Sequence, residues 1–321
     1  MDLPTPPSEA SASATVLRQD VQMASRRRVV LAINPSASFG KGRAVGPRTE
    51  ERLRAAGYEV TALSEGSMAE LQAAARAAID RGTDALVVVG GDGMVHLGVG
   101  LVATTDVPLG IVPSGTGNDA ARGLGIPLGD TEAAISRLLA SLEAPARTID
   151  AGLIRHGAGQ TWFVSVLSAG FDAIVNERAN RMRHPKGPSR YTLALLRELI
   201  VLHPLHYRLV VDGVSRDARG VLLALANNTS LGGGMQIAPD AELDDGLFDL
   251  VLVGPVTRLR FLRLFPKVFS GAHTSLDIVD IVRARSVRID APGIVAYADG
   301  ERIAALPVDV EVRQGALQVL A

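Results

Sequence analysis

The 321-residue chain contains no cysteine. Disulfides, thiolate nucleophiles and cysteine-ligated metals are therefore excluded, a composition compatible with the cytoplasm. Aromatics are scarce: one Trp and four Tyr leave few platforms on which nucleobases could stack. Charge of one sign is also lacking, since 33 Lys and Arg face 34 Asp and Glu for a net charge of -1, so no bulk basic field recruits nucleic acid. No apolar run approaches the roughly 18 residues of a membrane-spanning helix. Residues 1–25 lack the apolar stretch of a secretory signal; rich in Pro, Ser and Ala, they read as a disordered tail. Arg26, Arg27 and Arg28 read as the solvated start of a strand, because the VVLAI run behind them is too short for a twin-arginine signal.

What is present begins with apolar residues, 47% of the chain, enough for sizeable cores, over a length that suggests two domains. The most telling stretch is Asp84 followed by the run ALVVV at 85–89, which stops at Gly90-Gly91-Asp92-Gly93. A short, unbroken apolar run bounded by glycines is the pattern of a buried parallel strand, and a helix is expected from Met94 to Ala103. Glycines at the carboxyl end of such a strand let the backbone approach a phosphate, with amides pointing at it. Asp92 then calls for a divalent cation or a hydrogen-bond network, since an unpaired acid would repel that ligand.

The same alternation surrounds it. Strands are expected at 29–33, 58–63 and 107–112, and helices at 44–56, 68–81 and 130–142. Four strand–helix alternations in about 120 residues predict an α/β domain with a doubly wound parallel sheet. Strand one runs into the Pro-, Ser- and Gly-rich loop 34–42, which is not a Walker motif because its glycine spacing and Lys-Ser/Thr ending are missing. Strand four runs into Pro113-Ser114-Gly115-Thr116-Gly117-Asn118-Asp119-Ala120. These residues fit a dinucleotide fingerprint, yet they follow the fourth strand and no acid ends a next strand ~20 residues on. They read instead as a second glycine loop, with Thr116 and Asn118 as polar ligands, forming one cleft with the first.

Near Ala144-Pro145 the pattern changes. Extended stretches at 149–170, 205–228, 247–253, 276–290 and 293–320, with helices at 171–183, 190–202 and 257–269, predict a second, mainly antiparallel β domain over 146–321, after a nucleotide-binding domain over 26–145. Two stretches there are rich in chemistry. Asn227 to Gly234 ends a strand in a glycine loop, and Asp240, Glu242, Asp244 and Asp245 follow; hard cations favour such oxygen ligands, and a solvated hairpin with Asp-Gly turn chemistry uses the same residues. Asp299-Gly300-Glu301 sets two acids about a turn glycine.

Together GGDG after the third strand, PSGTGNDAAR after the fourth, the GGG…DDG segment and the late DGE resemble the bacterial diacylglycerol kinase family, related to the sphingosine and ceramide kinases, with matching order and spacing along residues 28–321. The resemblance implies an NAD-kinase- and phosphofructokinase-like first domain, and ATP- and Mg²⁺-dependent phosphorylation of a lipid hydroxyl between two domains. Carried over, the nucleotide site would comprise Asn34, Pro35, Ser36, Ala37, Ser38, Gly40, Ser64, Gly90, Gly91, Asp92, Gly93, Met94, Val95, His96, Gly115, Thr116 and Asn118. Asp245, Glu242 and Leu247 would bind Mg²⁺, Leu247 through its carbonyl. Asp299 or Glu301 would be the general base. Family members commonly show GGDGT followed by Asn-Glu; here Met94, His96 and Leu97 replace the hydroxyl, amide and carboxylate, which bears on nucleotide contact and lipid choice.

The acceptor implied is diacylglycerol. Another lipid alcohol, NAD, or a silent nucleotide- or lipid-binding role are the alternatives. A lipid substrate implies peripheral contact with the inner face of the cell membrane. Arg178, Arg181, Arg183, His184, Lys186 and Arg190 are expected to make it, whereas the helix at 257–269, with Arg258, Arg260, Arg263 and Lys267 among Leu and Phe, is expected to pack between domains with its basic face solvated. A homodimer is left open.

Overall fold

The computed structural model describes residues 27–34, 44–182 and 188–321, of which 188–192 are described by backbone alone. The expected tail at 1–25, the loop residues Pro35, Ser36, Ala37, Ser38 and Gly40, and the basic residues Arg183, His184 and Lys186 lie outside the described residues.

The first half is built on four parallel strands, β1 (Arg28–Ile33), β2 (Glu59–Leu63), β3 (Ala85–Gly90) and β4 (Leu109–Pro113), in the order β2-β1-β3-β4. Every residue of β3 is buried, as a central strand covered on both faces must be. Alternation then sorts the side chains. Val29, Leu31, Val87 and Val89 face α1 (Val45–Ala55) and α5 (Thr131–Leu142), while Val30, Ala32, Leu86 and Val88 face α2 (Met68–Asp80) and α3 (Asp92–Val102). Local caps set the helix starts: Ser67 accepts the amide of Glu70 at 3.3 Å, and Asp130 accepts that of Ala133 at 3.0 Å. The short α4 (Asp119–Gly123) follows β4. Glycine is a poor helix former, yet Gly98 has a packing role in α3: a Cβ there would lie 2.7 Å from Leu109 and 3.1 Å from Val88, so its absence lets α3 settle onto the sheet.

Past residue 146 the chain is dominated by antiparallel strands, as expected. They divide between two sheets. β5 (Arg147–His156), β6 (Gly159–Phe163), β8 (Leu205–Val211), β9 (Val214–Gly220), β13 (Ser286–Asp290) and β16 (Val308–Leu320) extend the parallel sheet, because the end of β16 pairs with β4, parallel, at Val319 and Leu320. Among the described residues this makes a ten-stranded sheet that crosses from one half to the other. A six-stranded antiparallel sheet holds β12 (Val279–Ala284), β11 (Phe248–Val253), β10 (Leu222–Ala226), β7 (Val166–Ser168), β14 (Val295–Ala298) and β15 (Glu301–Ala305), in that order. The two sheets pack face to face through Phe163, Tyr207, Ile289 and Val310 on one side and Leu167, Leu223, Phe248 and Ala296 on the other. The Phe163 and Phe248 rings stack 5.7 Å apart.

The outer face of the six-stranded sheet is covered by α6 (Phe171–Arg181), α7 (Pro188–Ile200), and α8 (Arg258–Leu264) with the 3₁₀ turn Phe265–Ser270. The expected helix at 257–269 thus changes type at Phe265, where Pro266 enters the next turn and cannot donate to an α-helical ladder.

Candidate active site

The carboxyl end of β3 meets the carboxyl end of β4, where a doubly wound sheet places its ligands. Gly91 caps α3, and the amides of Met94 and Val95 return to its carbonyl at 2.9 and 3.2 Å. The helix therefore starts at Asp92, two residues before the expected Met94, which sets the Asp92 carboxylate in the favourable first turn. Gly91 and Gly115 touch: a Cβ on Gly91 would lie 3.1 Å from the Gly115 Cα. The two glycine loops therefore form one continuous floor, as the sequence predicts. Asn34 lies at its edge, its amide bonded to Val89 O at 3.1 Å, and Ser64 is exposed just past the end of β2.

Several expected ligands turn out to have structural work. Met94 is 1% exposed and packs into the core with Val95, so neither side chain reaches the cleft. Leu97 is buried beside them, as suits an apolar side chain. Asn118, in the left-handed region at φ 54°, clamps its own loop: Oδ1 accepts the amide of Gly115 at 3.0 Å and Nδ2 donates to Gly115 O at 2.9 Å. Thr116 is left exposed at the tip.

Around this floor stand four acids. Asp92 Oδ1 accepts the amide of Asp119 at 2.7 Å, while its Oδ2 lies 2.5 Å from where a Gly117 Cβ would sit. Asp119 accepts the amides of Gly233 and Gly234 at 2.7 and 2.9 Å. Asp299 accepts those of Val164 and Ser165 at 3.1 and 2.8 Å. Glu301 sits across from Gly93, where a Cβ would come within 2.7 Å of its Oε1; Gly93 thus leaves room for that carboxylate.

The two DGE acids differ in surroundings. The Asp299 carboxylate is buried and committed to two amides, with His96 Nδ1 at 3.4 Å from Oδ2. Glu301 is exposed. Burial pushes Asp92 up to about 6, with the charge of Asp119 adding to the effect. For His96, burial acts downward, but the hydrogen bond and charge of Asp299 outweigh it and raise the imidazole above its ordinary value.

The expected metal trio is not assembled as a cluster. Asp245 pairs with Arg283, and its Oδ1 accepts the amide of Leu247 at 2.9 Å. Glu242 is exposed. Among the described residues no group of three His, Cys, Asp or Glu side chains is poised to hold a metal. The turn is fixed by Asp150, which accepts the amides of Gly246 at 2.6 Å and Gly315 at 2.8 Å.

Sequence reasoning missed Asp119, Asp150 and the pair Asn227-Asn228. Asn228 joins the halves by donating to Asp119 O at 2.8 Å, while Asn227 acts within the second half, donating to Val164 O at 3.0 Å. A buried acid that accepts distant backbone amides, or a buried Asn that donates to distant carbonyls, has no local pattern. The only signal was Asp119 in the first turn behind a glycine loop.

Next to the glycine floor opens a cavity of about 610 Å³ under α6, α8 and the 3₁₀ turn. Thr116, Gly117, Gly232 and Gly233 line its polar end, and Phe171, Val175, Phe261, Phe265 and Val268 are among its apolar walls. This feature was not legible in the sequence either, since its walls come from many separate segments between Thr116 and Val279.

Comparison with known proteins accords with this architecture. The family model of the diacylglycerol kinase catalytic domain matches residues 28–153, and that of the YegS C-terminal NAD kinase beta sandwich-like domain matches residues 165–321. A diacylglycerol kinase of Mycobacterium tuberculosis is 41% identical over 295 residues, covering 91% of this chain and 94% of that protein. A probable lipid kinase YegS-like protein of Chromohalobacter salexigens is 32% identical over 256 residues, 78% of this chain and 80% of its own. A crystal structure of a diacylglycerol kinase from Bacillus anthracis shares the fold, with a TM-score of 0.67 at 19% identity over 92% of this chain and 96% of that one. The chain belongs to the bacterial diacylglycerol kinase family and is a lipid kinase, a phosphotransferase.

Proposed function

We propose that the chain transfers the γ-phosphoryl group of ATP to the free hydroxyl of diacylglycerol, giving phosphatidic acid and ADP. The observation that carries this reading is the juxtaposition of a glycine floor with an apolar cavity of about 610 Å³, a volume in the range of small-molecule sites. The floor suits phosphates, and the cavity suits acyl chains. An NAD acceptor would leave these apolar walls unmatched, which favours lipid over the NAD-kinase alternative. The M. tuberculosis relative is named a diacylglycerol kinase, which supports the acceptor.

Glu301 is the general base: it is exposed at the start of β15, facing the first turn of α3, and it takes the proton as the acceptor oxygen bonds to the γ-phosphorus and the bond from that phosphorus to the ADP oxygen breaks. Asp299, already holding two amides, orients His96 and the turn that carries Glu301. Asn34, Ser64, Gly90, Gly91, Gly93 and Thr116 border the nucleotide. Mg²⁺ fits best at Asp92, because one or two carboxylates with phosphates and waters suffice for it and Asp92 is crowded by Asp119 and Asp299. At Asp245 a cation would have to displace Arg283. When bound, the ion neutralises charge developing on the phosphates.

Among the described residues no helix is long and apolar enough to cross a membrane. We assign peripheral contact with the inner face of the membrane to α8 and the 3₁₀ turn. Phe261 points into the cavity while Leu259, Leu262 and Phe269 are exposed outside, beside exposed Arg258, Arg263 and Lys267, a combination suited to an anionic surface. Of the stretch first expected to do this, Arg178 and Arg181 are paired with Glu198 and Glu177. The test is transfer of labelled γ-phosphate from ATP with Mg²⁺ to diacylglycerol, sphingosine, ceramide, monoacylglycerol and NAD in mixed micelles. Labelled phosphatidic acid is expected; label on NAD, or on nothing, overturns the reading.

A further inference from the structure

Helix α6 is a wall with two sides. Phe171 and Val175 line the acceptor cavity, while Ile174, Glu177 and Arg181 line a second cavity of about 490 Å³, between α6, α7 and the chain entering β14. On this second side Glu177 gathers three donors. Its Oε2 accepts the Tyr297 hydroxyl at 2.8 Å and Arg302 Nε at 3.0 Å, and its Oε1 accepts from Arg181 at 2.6 Å. Tyr297 and Arg302 are cross-strand partners in the β14–β15 hairpin, one pair behind Ala298 and Glu301. The turn between the strands is Asp299-Gly300, both left-handed at φ 49° and 82°, as a two-residue hairpin loop of this hand requires. One carboxylate on α6 therefore grips both strands directly behind the turn that carries Glu301. The Tyr297 ring is 1% exposed, so this tie is shielded from water. The Tyr297 hydroxyl and then the Arg302 and Arg181 guanidinium groups hold the Glu177 carboxyl below its ordinary range, which keeps it an acceptor.

Resting on the reading of Glu301 as the general base, we propose that Glu177 is a positioning residue: it ties the β14–β15 hairpin to α6 and so holds the Glu301 carboxylate opposite the first turn of α3. The hairpin needs such a tie. Among the described residues β15 is the last strand of the six-stranded sheet, paired with β14 alone. Glu301 is exposed, so the backbone beneath it decides where it stands. Asp299 fixes the turn from inside, through the amides of Val164 and Ser165. Glu177 fixes it from the helix side. Successive side chains on a strand point to opposite faces, so Arg302 reaches back to α6 while Glu301 reaches toward Gly93. A base acts only within hydrogen-bond reach of the proton it takes, and a displacement of about 1 Å can cost roughly a hundredfold in rate. Glu177 lines neither the glycine floor nor the acceptor cavity, so it acts through Glu301 and not on a substrate.

The test uses the full chain with ATP, Mg²⁺ and diacylglycerol in mixed micelles. Glu177→Gln keeps the size of the side chain and loses its charge. Tyr297→Phe keeps the buried ring and loses only the hydroxyl, so it serves if Glu177→Gln does not fold. Each should lower kcat about ten- to a hundredfold, with KM for ATP and for diacylglycerol unchanged. The same two substitutions are then made in a Glu301→Gln chain, which has no base left to position. There neither should lower the residual kcat further, because groups that act as a unit are not additive. An equal fold-loss in both backgrounds overturns the proposal, since it shows damage that does not pass through Glu301. Full kcat in Glu177→Gln and in Tyr297→Phe overturns it too. A Glu301→Gln chain that keeps the wild-type rate refutes instead the base assignment on which the tie depends, and a wild-type chain that labels no lipid refutes the kinase reading beneath both.

Discussion

The phosphate side and the acceptor side of this molecule are built in opposite ways. The phosphate side is made of backbone: Gly91 against Gly115, Gly93 opposite Glu301, and carboxylates that answer amides in pairs. The acceptor side is made of side chains, a cavity of about 610 Å³ walled by Phe, Val and Leu from separate elements. A glycine-and-acid site tolerates little, since an added Cβ strikes a neighbour. An apolar wall tolerates exchange of one aliphatic group for another of similar volume. The first region should therefore break sharply under mutation and the second should shift in degree.

The sharpest break is expected at Glu301. Glu301→Gln removes the base from an exposed position, so kcat should fall by roughly 10² to 10⁴ while the thermal midpoint stays within about 1–2 °C of wild type, since exposed substitutions change stability little. Steady-state rates with calorimetry check this; unchanged kcat would reassign the base to Asp299. Asp299→Asn should cost both activity and stability. Its carboxylate is buried and receives two amides, and removing its charge should destabilise the fold by about 1–3 kcal/mol, read from urea denaturation.

On the acceptor side, Leu264→Trp reduces the cavity. KM for a long-chain diacylglycerol should rise about tenfold, in line with the 1–3 kcal/mol cost of overpacking, with KM for ATP unchanged. Equal changes in both would show that the two regions are not separate sites.

At Asp92 the expected effect concerns stability. Its carboxyl is raised from 3.8 to about 6, so the folded state holds the proton more tightly than the unfolded chain. The stabilisation from that proton is complete below about pH 4 and is lost as pH rises through 6. At pH 7 the ligand-free protein bears a cost of up to about 3 kcal/mol. Asp92→Asn should relieve part of it, raising the midpoint at pH 7 and leaving it unchanged at pH 4, while the apparent affinity for Mg-ATP falls. Thermal melts at the two pH values check the sign.

The same contrast governs how much could be read in the sequence. The run ALVVV, the glycine loops and the Asp-Gly turns are local patterns, because each is dictated by burial on both faces or by backbone conformation within a few residues. Those gave the strands and the parallel sheet of the first half, the joined glycine loops and the acids at Asp92, Asp299 and Glu301. The helix start at Asp92 was misplaced by two residues because Gly91 caps without a side chain, leaving no capping residue to see. Met94 and Val95 counted as ligands by position in a motif, although α3 turns both into the core. Asp150, Asn227 and Asn228 bind partners 63 or more residues away, and no window of sequence contains both ends. The strand that joins the two halves, β16, was seen as extended, but its pairing with β4 depends on partners more than 200 residues apart.

The central claim is that the apolar cavity holds the lipid whose hydroxyl meets the glycine floor. It is tested most directly by photolabelling with a diacylglycerol that carries a diazirine at the end of one acyl chain, in the presence of ATP, followed by peptide mapping. Label should concentrate on 258–270 and on Phe171 to Asn176, and an excess of short-chain diacylglycerol should abolish it. Label confined to residues outside this cavity, or spread over the surface and indifferent to competitor, would contradict the account.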